Sequence, residues 1–139
     1  MTTLLLETIH PDAQSLLAEH GPVVLAASPT EPGPAVLLEE VAAILTRGRG
    51  KISRTLIERC PHLRVVARCG VGLDNIDVQA AADQNVAVVY APGSTTTAVA
   101  EQTLLFILAL VRDLYPLATA VKQGNWASRD GYVATMCWA

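Results

Sequence analysis

Aromatic side chains are scarce: one Phe, two Trp and three Tyr make up 4% of 139 residues. The 51% hydrophobic content therefore rests on Ala, Val, Leu and Ile, and any core must be aliphatic. Positive charge is short as well. Ten Lys and Arg against 13 Asp and Glu leave a net charge of −3 and a pI of about 5.5. No basic field invites nucleic acid or an anionic membrane surface, so neither is expected as a partner. The three cysteines, Cys60, Cys69 and Cys137, lack metal-type spacing, and His10, His20 and His62 share none either; no metal site is expected. An odd cysteine count without a basic, apolar leader fits free thiols in a reducing cytoplasm. The longest apolar run, Leu104 to Val111, is too short to span a bilayer. With no repeat and no low-complexity segment, the expectation is a cytoplasmic α/β protein with room for one real core.

What is present centres on Arg64 to Glu101, which reads as strand, glycine loop, helix, strand, proline-glycine loop and helix start. Val65, Val66 and Ala67 form a short strand ending at Cys69-Gly70. Gly70 and Gly72 bracket Val71, so the backbone can turn tightly and approach a bound group. Asp74 or Asp77 can cap the next helix, with Val78, Ala81 and Ala82 on its face. Val86, Val88 and Val89 make another strand, stopped by Ala91-Pro92-Gly93, and Ser94 to Thr97 offer hydroxyls to cap an apolar helix. Two strands joined by a helix imply a parallel sheet with a right-handed crossover. Both loops then lie at carboxyl ends of strands, where open α/β sheets bind ligands.

Upstream, Thr3 to Glu7 reads as a strand and Asp12 to Glu19 as a helix with Leu16, Leu17 and His20 roughly on one face. Pro22 to Ala27 is a second strand, followed by a surface loop from Ser28 to Pro34. A short helix is expected over Ala35 to Val41 and a third strand over Ala42 to Thr46. Arg47 to Lys51 is a basic loop at that strand's carboxyl end. Ser53 caps a helix through Leu56, Ile57 and Cys60 that Pro61 ends. Five such units predict a doubly wound sheet of flavodoxin-like strand order.

From Ala98 to Val111 the chain is apolar nearly all round, and such a helix wants burial on every side. One face can pack on the sheet; the other needs a partner. Asp113 and Pro116 end or kink it, and a second amphipathic segment runs from Leu117 to Lys122.

Four motifs carry a family resemblance: ILTRGRGKIS at 44–53, LRVVARCGVGLDNIDVQAA at 63–81, VVYAPGSTTTAVAEQTL at 88–104 and VKQGNW at 121–126. In this order and spacing the chain resembles the N-terminal substrate-binding domain of the D-isomer-specific 2-hydroxyacid dehydrogenases, in the style of the phosphoglycerate dehydrogenase branch. The resemblance implies a flavodoxin-like substrate-binding domain over 1–93. A crossing helix and linker toward a dinucleotide-binding domain would occupy 94–133, and an out-of-frame tail 134–139. It also implies NAD or NADP as cofactor of an intact member, with none held by this chain alone. The family's G-x-G-x-x-G loop and its catalytic arginine, glutamate and histidine have no counterpart in this sequence, so no catalytic residue is assigned.

By the same resemblance, the Gly70-Val71-Gly72 backbone would face the substrate carboxylate, with Val71 also near the cofactor. Exposed amides in a turn suit an anion; an ordinary strand-to-helix turn is the alternative. Arg47 matches the family's arginine after the third strand, whose planar fork suits a carboxylate or phosphate. Gly48 stands where the phosphoglycerate branch often has serine, and Thr95 where it often has asparagine, so phosphohydroxypyruvate is an uncertain substrate. Arg49 and Lys51 read as solvated charges, Asp74 and Asp77 as caps, Glu101 as a first-turn acid and Cys69 as a small buried hydrophobe.

The expected function is a substrate-binding domain of an NAD(P)-dependent oxidoreductase acting on 2-hydroxy or 2-oxo acids, inactive alone. It would self-associate, or form a homodimer, through the 98–111 helix. A stand-alone small-acid-binding or regulatory module, paired through that helix, is the rival. A phosphorelay receiver is excluded, because Thr46-Arg47-Gly48 stands where its aspartate should be. Met136 to Ala139 must be encoded by ATG, TGY, TGG and GCN. Shifted by one base these read Val-Leu-Gly, which resembles the family's segment before its dinucleotide-binding strand. The expectation is a one-base deletion near Val133 in a longer dehydrogenase gene.

Overall fold

The structure is a computed structural model that describes residues 1–132; the expected tail at 134–139 lies outside them. Two compact units divide the chain, Met1–Ser94 and Thr95–Ala139.

The first unit is a parallel sheet with flanking helices. Strands β1 (Thr2–Leu5), β2 (Val23–Leu25), β3 (Val41–Thr46), β4 (Val65–Arg68) and β5 (Ala87–Tyr90) lie in the order β2-β1-β3-β4-β5, the expected flavodoxin-like arrangement. Helix α1 (Pro11–Ala18) follows β1, α2 (Arg54–Glu58) follows β3 and α3 (Val78–Asp83) follows β4. The caps explain where the last two begin. The Ser53 hydroxyl accepts from the Leu56 N–H, and Asp77, rather than Asp74, accepts from the Ala80 N–H at 2.8 Å.

Register gives the sheet two unequal faces. Leu4, Ile44 and Val66 are aligned across three strands and fully buried, and the core continues through Ile52, Leu56, Ile57, Ala80 and Ala81. The opposite row runs Leu5, Leu45, Ala67, Val89. Its exposure grows along the row, from Leu5 at 1% to Val89 at 53%. One residue's shift in register would exchange these rows, so the aliphatic row Leu4-Ile44-Val66 fixes the pairing.

The helix expected over Ala35 to Val41 is only a 3-10 turn, Leu38–Glu40. Gly33 at φ +88° and Pro34 break the chain just before it, and Val41 is claimed by β3, where it is fully buried. Too few residues remain to nucleate a helix.

The second unit holds α4 (Thr96–Val111) and α5 (Leu114–Lys122), with a 3-10 segment over Trp126–Gly131. No residue of α4 or α5 is buried, although α4 carries Leu104, Leu105, Phe106, Ile107, Leu108 and Leu110. None of the hydroxyls at Ser94 to Thr97 caps α4; that of Ser94 donates to the Ala91 carbonyl instead. Glu101 falls in the second turn of α4, not the first. The break after α4 is made by Asp113 at φ +46°, and the two helices are bent by 66°. Pro116 sits inside the first turn of α5, where the missing N–H costs nothing. Gly124 at φ +78° ends that helix. Among the described residues no single helix is long and apolar enough to cross a membrane.

Candidate functional site

Three loops of the first unit meet at the carboxyl ends of β1, β3 and β4. The loop after β3 is organised by a residue that the sequence motifs did not single out. Glu7, just past β1, is buried, and its Oε2 accepts from the backbone N–H groups of Arg47, Gly48, Arg49 and Gly50 at 2.9–3.1 Å. The Thr46 hydroxyl adds a bond at 3.1 Å, and Arg49 Nε approaches Oε1 at 3.4 Å. Burial alone would raise the Glu7 pKa. The four backbone N–H groups outweigh it and hold the carboxyl at about 2. Gly50 must be glycine here, because a Cβ would run into the Thr46 hydroxyl and come within 2.9 Å of Leu6 Cβ.

This loop is tied to the one after β4. The Asn75 side-chain amide donates to the Gly50 carbonyl at 2.6 Å and accepts from Arg68 Nε at 3.2 Å. Ile52 and Ile76, both buried, form a parallel bridge beside it. Arg68 and Asn75 are thus two further residues that the motif reading passed over. The guanidinium of Arg68 lies against Gly70, where any side chain would collide with its Nη1. At Gly72 a Cβ would come within 2.8 Å of the Asp74 carboxylate, the end of an exposed side chain that can swing aside. Neither glycine has a positive φ. Close approach, not left-handed backbone, is what they provide.

Each predicted site residue can now be placed. The N–H of Gly70 donates to the Arg68 carbonyl at 2.9 Å, and its own carbonyl accepts from Ala91. Those of Val71 and Gly72 have no acceptor among the described residues, and both residues are exposed. Gly48 gives its N–H to Glu7, and a Cβ there would meet nothing within 4 Å. Arg47 Nη1 donates to the Thr8 carbonyl at 3.3 Å. Its side chain lines an open cleft of about 480 Å³ with Thr8, Ile9, His10, Ala13 and Cys69. Gly70, Val71 and Gly72 are not among the residues lining that cleft. Thr95 is the N-cap residue of α4 and opens the second unit; its hydroxyl makes no cap bond.

Two expectations about charges and thiols change. Cys69 is exposed, not buried, because its backbone N–H is fixed to the Thr46 carbonyl at the rim, past the last ladder pair of β4. The buried thiol is Cys60, pushed up to about 11 by burial. Arg49 is 84% exposed, as a solvated charge should be, yet it also touches Glu7.

A dinucleotide needs a phosphate cradle of free backbone N–H groups. The only run of four convergent amides at these loops is already filled by the Glu7 carboxylate, and no G-x-G-x-x-G occurs in the sequence. The residues present therefore do not fit the pyrophosphate of a nicotinamide cofactor.

A model of the D-isomer specific 2-hydroxyacid dehydrogenase catalytic domain matches residues 3–137. D-3-phosphoglycerate dehydrogenase of Methanocaldococcus jannaschii is 34% identical over 123 residues, which is 88% of this chain and 24% of that one. (S)-sulfolactate dehydrogenase of Chromohalobacter salexigens is 44% identical over 86 residues, 62% of this chain and 28% of that one. The solved NADPH-dependent glyoxylate/hydroxypyruvate reductase of Sinorhizobium meliloti, in complex with NADP and malonate, superposes with a TM-score of 0.81 at 25% identity. That match covers 96% of this chain and 41% of the reductase. The chain spans about a quarter of the length of these two curated relatives.

Proposed function

This chain belongs to the D-isomer specific 2-hydroxyacid dehydrogenase family, and from that premise we propose that it is the substrate-binding part of an NAD(P)-dependent enzyme acting on 2-hydroxy or 2-oxo acids. The observation that carries the reading is the pair of acceptor-free N–H groups on Val71 and Gly72. They stand at the carboxyl end of β4, in a loop whose glycines keep side chains away. Two adjacent amide donors suit one carboxylate. Arg47, on the neighbouring strand's loop, supplies a planar cation for a second acidic group or for the same carboxylate. Gly48 keeps the loop surface bare, since a Cβ there would meet nothing within 4 Å. Val71, exposed, would border the cofactor of an intact member.

The reaction in an intact enzyme would be hydride exchange between nicotinamide and C2 of the acid. This chain's share is binding and orientation: it fixes the carboxylate so that C2 projects away from the β4 loop. The proton and hydride are handled by groups outside these residues, so the chain alone should not oxidise or reduce substrate. We further propose that it self-associates through residues 98–111, a reading supported by the exposed apolar side chains of α4.

Calorimetric titration with pyruvate tests the binding role. Saturable binding is expected, and Gly72→Val should weaken it by placing a branched side chain beside the amide pair. Equal pyruvate binding by the wild type and Gly72→Val would sink the assignment.

A further inference from the structure

Glu7 has no place in the binding role just described, yet it is the most heavily hydrogen-bonded side chain of the three loops. Its carboxylate sits where successive backbone N–H groups converge, the arrangement that elsewhere captures a free anion. The donors come from residues 40 to 43 positions later in the chain, so the contact is a tertiary clamp and not a local turn. Thr46 shares its hydroxyl between Glu7 and the Gly50 carbonyl, at 3.1 Å each, which locks both ends of the loop. Arg47 is the first residue of that loop, and its backbone N–H is one of the shortest bonds to Glu7, at 2.9 Å.

We propose that Glu7 is the positioning residue of this site: a built-in anion that fills the amide nest of residues 47–50 and so holds Arg47 at the cleft. The inference rests on the carboxylate-binding reading above and deepens it. Three features support it. The nest is saturated by one internal carboxylate, so the loop's backbone N–H groups are satisfied without a ligand. The carboxyl stays ionised in neutral and mildly acidic solution, as its pKa of about 2 requires. Finally, the only side-chain cation within ion-pair distance of Glu7 among the described residues is Arg49, whose guanidinium is mostly in solvent. Arg47 is therefore held through its backbone N–H, and its guanidinium, which donates to the Thr8 carbonyl at 3.3 Å, keeps its remaining N–H groups for a ligand.

Because the nest is an anion site filled from within, removing the side chain should leave a site that a small carboxylate can refill. The test uses ¹⁵N-labelled protein as wild type and Glu7→Ala, with acetate as the refilling probe and pyruvate as ligand. In Glu7→Ala the amide signals of 47–50 should move away from their wild-type positions and return, saturably, as acetate is added. Pyruvate binding, followed at Val71 and Gly72, should weaken by about tenfold, the scale of losing one charge-assisted contact. Acetate should restore it, whereas acetate added to wild type can act only as a competitor.

If acetate restores the loop amides without restoring pyruvate binding, Glu7 is structural and the positioning role is wrong. Wild-type loop signals or undiminished pyruvate binding in Glu7→Ala would also overturn it. Should Glu7→Ala fail to fold, Glu7→Gln retains the volume and one acceptor oxygen. Faster amide exchange at 47–50 with weaker pyruvate binding is expected there, and wild-type behaviour in both would overturn the inference. The pyruvate titration of wild type decides the carboxylate-binding reading separately.

Discussion

The two units of this chain spend similar aliphatic residues in opposite ways. In Met1–Ser94, Leu4, Ile44, Val66 and Ile57 are almost wholly removed from water, and even a carboxylate and a threonine are buried with their bonds satisfied. In Thr95–Ala139, six large apolar residues between Leu104 and Leu110 remain about half exposed or more. Near-continuous apolar strands in a parallel sheet present faces that their own crossover helices can cover. A helix apolar on every side leaves surface that one neighbouring helix cannot cover. Composition alone would rank α4 as the better-buried element. The geometry of covering, not hydrophobicity, decides which residues leave water.

The difference can be broken most sharply by introducing the same charge in both units. Ile44→Asp puts an unpaired carboxylate in the filled core and should cost more than about 4 kcal/mol, or prevent folding. Leu110→Asp, at a position 78% exposed, should change stability by less than about 0.5 kcal/mol. Urea midpoints of the two variants check this, and similar losses would contradict the contrast.

A smaller effect is expected from acid. Glu7 has its pKa lowered from an ordinary 4.5 to about 2, so the folded state binds its proton less tightly than the unfolded state. The contribution is complete above about pH 4.5 and is lost as pH falls toward 2, amounting to about 3 kcal/mol at 1.36 kcal/mol per unit. In Glu7→Gln the stability of the first unit should lose that acid dependence. Denaturant titrations at pH 5 and pH 3 would show it, and parallel curves for wild type and variant would count against it.

The exposed helix should act on assembly more than on folding. Leu105→Glu with Ile107→Glu should lower the sedimentation mass of the wild-type assembly while leaving the sheet's circular dichroism unchanged. A wild type that sediments as a monomer at high concentration would remove the self-association proposal. Least in energy, but simple to measure, is thiol reactivity. Cys69 should be alkylated by iodoacetamide well before Cys60, whose thiolate is disfavoured by burial. Peptide mass spectra report the order, and equal rates would contradict the burial assigned to Cys60.

Much of the first unit was legible in the sequence because its signals are local. Ser53 and the pair Asp74 and Asp77 announced their helices, with Asp77 the cap in the structure, and the valine-rich runs announced β4 and β5. The flavodoxin-like strand order was expected from five β-α units and from the family resemblance, and the sheet has it. What was hidden depends on distance along the chain. Glu7 looks like an ordinary strand end until the fold brings it to residues 47–50, and no spacing rule joins positions 40 residues apart. Arg68 and Asn75 are similar: the hydrogen bonds that link them to Gly50 exist only once β3 and β4 are paired. Cys69 was expected to be buried because free cysteine usually is, whereas it lies just beyond the last ladder pair of β4, at the rim. The short helix expected before β3 failed because the sheet claimed Val41.

The Val71 and Gly72 amides, with Arg47, are proposed to bind the carboxylate of a small 2-oxo acid. A residue-resolved titration of the ¹⁵N-labelled chain with pyruvate tests it most directly. Saturable shifts are expected, largest at Val71 and Gly72, smaller at Arg47, and absent at the Glu7-bound amides of 48–50. Shifts confined to other residues, or none at concentrations where acetate also gives none, would contradict it.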